Sequence, residues 1–146
     1  MTAGTQHPPA VAATLAGWHR MIASGALGEL PALLHPNASF HSPMAFRPYS
    51  GAKAVNLILT TVFGVFQDFA YHRELASDDG LSAVLEFSAR VGDKQLKGID
   101  LIRFDADGLI TDFEVMIRPM SGLAALGEQM GQRIGPILAT MKGDAT

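Results

Sequence analysis

The 146-residue chain contains no cysteine, which excludes disulfides, thiol catalysis and cysteine-based metal centres and suits a reducing compartment. Charge is also scarce, at 17% of residues with a net charge of −3. The lysines and arginines are scattered, so the basic stripe that a nucleic-acid surface requires is missing. No apolar run is long enough to span a bilayer, and residues 1–9 have neither the basic nor the apolar region of a secretory leader. A cytoplasmic protein with no membrane or nucleic-acid partner is expected. No glycine-rich turn joins a strand to a helix as a phosphate loop would, and no two histidines have the spacing of a helical metal site. Neither a cofactor nor a metal is expected.

The length suits one domain with a sizeable core. From Ala10, the positions Val11, Leu15, Trp18, Met21 and Ile22 recur at helical spacing, with Gly25 placed to supply a left-handed cap. Leu27 to Leu34 reads as a short second helix that completes a helical hairpin. Ala38 to Ser42 reads as a strand stopped by Pro43, followed by a loop through Met44, Phe46, Pro48 and Tyr49. A third helix opens at Gly51 and ends near Asp68. The periodicity then changes to two: Phe69 to Ala76, Leu81 to Val91, Lys94 to Phe104 and Leu109 to Ile117 are strand-length, and short turn sequences separate them. That is an antiparallel meander. After Pro119, the positions Leu123, Leu126, Met130, Ile134 and Leu138 suggest a last helix. Gly127, Gly131 and Gly135 weaken it, and Pro136 should break or kink it. Met116, Met120, Met130 and Met141 read as an adaptable contact surface beneath this helix or as gap filling.

One residue stands against its surroundings. Asp100 interrupts Gly98-Ile99-Asp100-Leu101-Ile102-Arg103-Phe104, a run otherwise suited to a strand buried on both faces. A carboxylate there must be paired, reach solvent or be held protonated. A salt bridge with Arg103 or Arg118, or a solvated sheet face, would satisfy it without function. A protonated carboxyl in a cavity would instead make a proton donor.

Helices followed by a helix-covered meander give an α+β order. The stretch Phe40-His41-Ser42-Pro43 followed by Gly51 and a helix, together with the stretch from Ile99 to Ile110, resembles the signature regions of the NTF2-like superfamily. Within it, the chain is most similar to the SnoaL-like and ketosteroid isomerase-like branch. The resemblance runs from Ala10 to Ile117. It implies a cone, with a curved, mostly antiparallel sheet wrapped around a deep apolar pocket by N-terminal helices. Residues 10–118 would form this domain, residues 1–9 a loosely ordered start and residues 119–146 a C-terminal helical extension. A homodimer through the outer sheet face and a small apolar or polyketide-like ligand are implied as well.

The site residues follow from the resemblance. Ketosteroid isomerases use an aspartate base and an oxyanion hole formed by a tyrosine and a protonated aspartate. Asp100 falls at the protonated aspartate, but Ser42 stands where the base would be and Trp18 where the tyrosine would be. The chain therefore departs from a standard ketosteroid isomerase, and the arginine and aspartates of epoxide hydrolases have no counterparts. The better match is the SnoaL-like branch, in which an aspartate acts as acid and base in ring closure. The implied pocket is lined by Trp18, Ser42, Tyr49, Phe63, Leu85, Phe87, Phe113, Val115 and Ile117. His41 is a substitute base only if its strand end twists inward, because alternation points it away from Ser42. Two rivals stand beside catalysis: a non-catalytic binder of an apolar metabolite, and a dimeric interaction module that uses the outer sheet face.

Overall fold

In the computed structural model, residues 7–142 are described, except for the side chains of 138–142. The expectations for Leu138, for Met141 and for most of the loosely ordered start lie outside these residues. Helix α1 spans Pro9–Ser24, with Pro9 in the first turn, where its missing N–H costs nothing. It ends as expected at Gly25, whose φ of 75° is left-handed and whose N–H donates to the Met21 carbonyl at 2.9 Å. Its buried face is Val11, Thr14, Leu15, Trp18 and Met21.

The expected second helix is reduced to a 3₁₀ turn, Leu30–Leu33. Gly28 and Pro31 lower the local helix propensity, and Leu34 is already extended. The helical hairpin is therefore not formed. Strand β1, Leu34–His41, begins four residues before the expected start and passes through Pro36. Proline is tolerated there because the pairing register shifts between Leu34 and Ser39. The following loop contains a short strand, β2 (Tyr49–Ser50), paired antiparallel to β1. Helix α2 spans Ala52–Val65 and ends three residues before Asp68, which has a left-handed φ of 54° within β3, Gln67–Ala76.

The meander follows the sequence closely: β4 is Ser82–Val91, β5 is Lys94–Phe104 and β6 is Ile110–Arg118. Among the described residues six strands form one curved, unclosed sheet in the order β2-β1-β6-β5-β4-β3, in which β1 and β6 pair parallel and the other neighbours antiparallel. The fold is α+β and NTF2-like. The final helix, α3, is continuous over Met120–Lys142, so Pro136 does not end it. It is held by packing, with Leu126 and Ile134 buried in the core. Each fully buried side chain of this size contributes roughly 1.5–3 kcal/mol, enough to offset the cost of one or more interior glycines.

One face of the sheet meets α1, α2 and α3. Trp18 lies between Phe63 and Phe113, with ring centroids 5.5 and 5.4 Å away. Phe87 stacks on Phe69 at 5.1 Å. On the opposite face Glu86 is bound by Arg73 at 2.9 Å and Lys97 at 3.2 Å, and these cations hold its carboxyl down at about 2.

Candidate functional site

Strand alternation places Leu96, Gly98, Asp100, Ile102 and Phe104 of β5 on the helix-covered face, so the Asp100 carboxyl enters the interior with the core residues. It stands opposite Leu85 on β4 and Val115 on β6, and is 3% exposed. Neither Arg103 nor Arg118 pairs with it. Instead the Tyr71 hydroxyl, reaching across β4 from β3, donates to Asp100 Oδ2 at 2.5 Å. The Trp18 Nε1–H donates to that same hydroxyl at 2.9 Å. Among the described residues no donor is bonded to Oδ1. His19, edge-on to the Tyr71 ring at 5.3 Å, makes a 2.8 Å contact from Nε2 to Glu74 Oε1.

Burial pushes Asp100 up to about 7; the Tyr71 hydrogen bond and the charge of His19 pull the other way without prevailing. Tyr71 is raised well above its ordinary value by burial, by the neighbouring Asp100 charge and by their shared hydrogen bond. The labile proton near neutrality therefore belongs to Asp100, while Tyr71 keeps its own. When Asp100 is ionised, donation runs in one direction, from Trp18 to Tyr71 to Asp100.

Asp100 lies on the wall of a cavity of about 330 Å³ between the sheet and the helices. Its sheet wall is Phe40, Val115 and Ile117, and its α2 wall is Ile58, Leu59, Val62, Phe63 and Phe66. Ser42, Pro43, Met44 and Tyr49 close one side, and Leu126, Gly127, Met130, Gly131 and Gly135 of α3 another. Ser42 Oγ accepts a hydrogen bond from the Met44 N–H at 2.9 Å. Among the described lining residues Asp100 is the sole carboxylate and there is no histidine, lysine or arginine. This wall supplies neither a second metal ligand nor a cation for a phosphate-bearing cofactor.

Six of the expected residues therefore meet at one cavity: Asp100, Ser42, Tyr49, Phe63, Val115 and Ile117. Trp18, Leu85, Phe87 and Phe113 share the inward face but are 1% exposed or less, sealed behind other side chains in the core. Trp18 still reaches the site through Tyr71. His41 is turned away, as alternation requires, and its Nε2 contacts Asp112 Oδ1 at 2.8 Å on the outer side. It is placed off the cavity and so is not a substitute base here. Tyr71 is the residue that sequence reasoning missed. A tyrosine alternating with Phe69 was the available signal, but its neighbours on β3 are mostly exposed.

The SnoaL-like domain family matches residues 15–113. Among solved structures, a steroid delta-isomerase from Pseudomonas aeruginosa is 65% identical, covering 91% of this chain and 97% of that one, with a TM-score of 0.88. An uncharacterised bacterial protein with a cystatin-like fold from Silicibacter pomeroyi is 31% identical, covering 96% and 94%, with a TM-score of 0.81. The epoxide hydrolase/cyclase-like enzyme SalBIII, of pyran ring formation in the polyether salinomycin, shares the fold at 16% identity, covering 76% and 92%, with a TM-score of 0.62. No curated protein matches the sequence.

Proposed function

The chain belongs to the SnoaL-like domain family, and from that premise we propose that it binds a small, mostly apolar metabolite in the cavity and moves a proton on it with Asp100. The observation that carries this reading is a buried carboxyl on an apolar wall, with one oxygen held by Tyr71 and the other without a donor among the described residues. With Asp100 pushed up to about 7, both of its forms are populated at neutral pH. The ionised form takes a proton from a carbon activated by a carbonyl. The neutral form returns that proton to another carbon, as in isomerisation, or to an alkoxide, as in ring closure. Tyr71 fixes Oδ2 and so directs Oδ1 toward the ligand, and the Ser42 hydroxyl lies on the wall of the same cavity.

The kinship with a structure described as a steroid delta-isomerase supports chemistry of the isomerase kind. Because Ser42 cannot act as a base at neutral pH, Asp100 must both remove and return the proton. Its substrate must therefore bring an already acidic C–H, such as one between two carbonyls or beside an unsaturated ketone. The lack of a second acid or base among the described lining residues also favours a rival, in which Asp100 orients the hydroxyl or carbonyl of a ligand that is bound and not transformed. A homodimer through the outer sheet face, where Met116 is 46% exposed, fits either reading.

Hydrogen–deuterium exchange at the acidic carbon of 1,3-diketones and β,γ-unsaturated ketones, followed by NMR in deuterated buffer, tests the proposal. The wild type should accelerate exchange at pH 7, Asp100→Asn should lose roughly 100-fold or more, and His41→Ala should lose none. Ligand binding without exchange, with affinity lost in Asp100→Asn, would replace the catalyst by the binder.

A further inference from the structure

We infer that Gly131 and Gly135 set the ligand selectivity of the cavity, leaving room at its α3 end for the apolar tail of an elongated molecule whose polar head meets Asp100. The inference rests on the ligand-binding role proposed above and names the class of ligand: an uncharged amphiphile with one terminal hydroxyl or carbonyl.

The glycines of α3 differ in what their missing side chains avoid. A Cβ at Gly122 would strike the Gln95 carbonyl and Leu96, and one at Gly127 would strike the Met44 side chain. Packing accounts for both. At Gly131 and Gly135 no described atom lies within 4 Å of where a Cβ would stand, and neither residue has the positive φ that favours glycine. Inside a helix each lowers stability relative to alanine. Gly135 precedes Pro136, whose ring would crowd a Cβ on the residue before it, whereas neither packing nor backbone geometry explains Gly131. Both line the cavity, one helical turn apart and on one face, and the stripe from Gly127 to Gly135 covers about 12 Å of helix.

A second observation, at the other end of the space, points to a ligand. Asp100 is 3% exposed on the cavity wall, with no donor bonded to Oδ1 among the described residues. Gly131, by contrast, is exposed, so the space runs from a buried carboxyl to an open end at α3. Val62, Phe66, Leu126 and Met130, all apolar, line the same cavity. A molecule that uses both ends must be longer than the buried part alone and polar only at its head.

The probes are 4-ethylphenol and 4-octylphenol, titrated calorimetrically into the full chain and into Gly131→Leu, with Gly131→Ala as the smaller step should the leucine variant not fold. Leucine is a good helix former, so Tm should rise by about 3 °C or hold. Affinity for 4-ethylphenol should stay within about twofold, and that for 4-octylphenol should fall about tenfold, as expected when about two methylenes lose their burial. Unchanged 4-octylphenol affinity would overturn the inference while leaving the site reading intact. A lower Tm in both variants would also overturn it, by giving the glycine a structural reason. If the wild type binds neither phenol, the site reading fails and the inference with it.

Discussion

Replacing Asp100 by asparagine should remove a pH-dependent penalty that the fold carries. The carboxyl moves from an ordinary 3.8 to about 7 on folding, mainly because burial disfavours its charge. A change of about three pH units at 1.36 kcal/mol each is roughly 4 kcal/mol. The sign follows from proton uptake: between about pH 4 and pH 7 the folded chain holds the Asp100 proton and the unfolded chain has released it. This group's contribution therefore falls as pH rises through that window, and is flat above about 7. Asparagine preserves the shape and can still accept from Tyr71, but it does not titrate. Glu74, Glu86 and Asp79, all held low by their partners, act with the opposite sign at more acid pH and are present in both proteins, so they cancel in the difference. Urea unfolding of both proteins from pH 4 to pH 8 gives the assay. The stability of Asp100→Asn minus that of the wild type should rise by roughly 4 kcal/mol, at about 1.4 kcal/mol per pH unit. A difference that stays flat would refute the reasoning, because a carboxyl that is ionised throughout the folded state contributes no such slope.

Two further outcomes follow from the neighbouring contacts. Tyr71→Phe removes the bond that favours the ionised form of Asp100, so in that background the stability difference should go on rising past pH 7 before it levels off. The same change leaves the Trp18 N–H without its acceptor, at a cost of about 1–3 kcal/mol in urea unfolding. A levelling-off at lower pH than in the wild type would contradict the assigned role of the hydroxyl. Gly98→Ala should destabilise by about 1–3 kcal/mol, since its Cβ would meet the Met116 carbonyl and the Phe87 ring. An unchanged urea midpoint would mean that the sheet yields there freely.

Local chemistry made most of the architecture legible. The turn glycines Gly80, Gly92 and Gly108 all have the positive φ that their turns demand, and the strands between them begin and end within a residue or so of expectation. Where the sequence misled, tertiary pairing prevailed. Leu27 to Leu34 has helical spacing, yet Leu34 pairs with Ile110 and is drawn into β1. Two-residue β2 has no pattern of its own and exists only because Phe40 faces Tyr49. At the site, Asp100 was conspicuous because a carboxylate in an apolar run conflicts with its strand. Tyr71 was not, because its role depends on a reach across β4 that spacing within one strand cannot encode. The α3 glycines registered only as weak points of a helix, because the space they border exists only after β1, β5, β6 and α2 have assembled.

The central claim is that Asp100 is a buried carboxyl poised to exchange its proton near neutrality. Carbon-13 NMR of the selectively labelled side-chain carboxyl, titrated in the ligand-free protein, tests it directly. A midpoint near pH 7 that disappears in Asp100→Asn is the predicted result. An ordinary midpoint near pH 4 would contradict it.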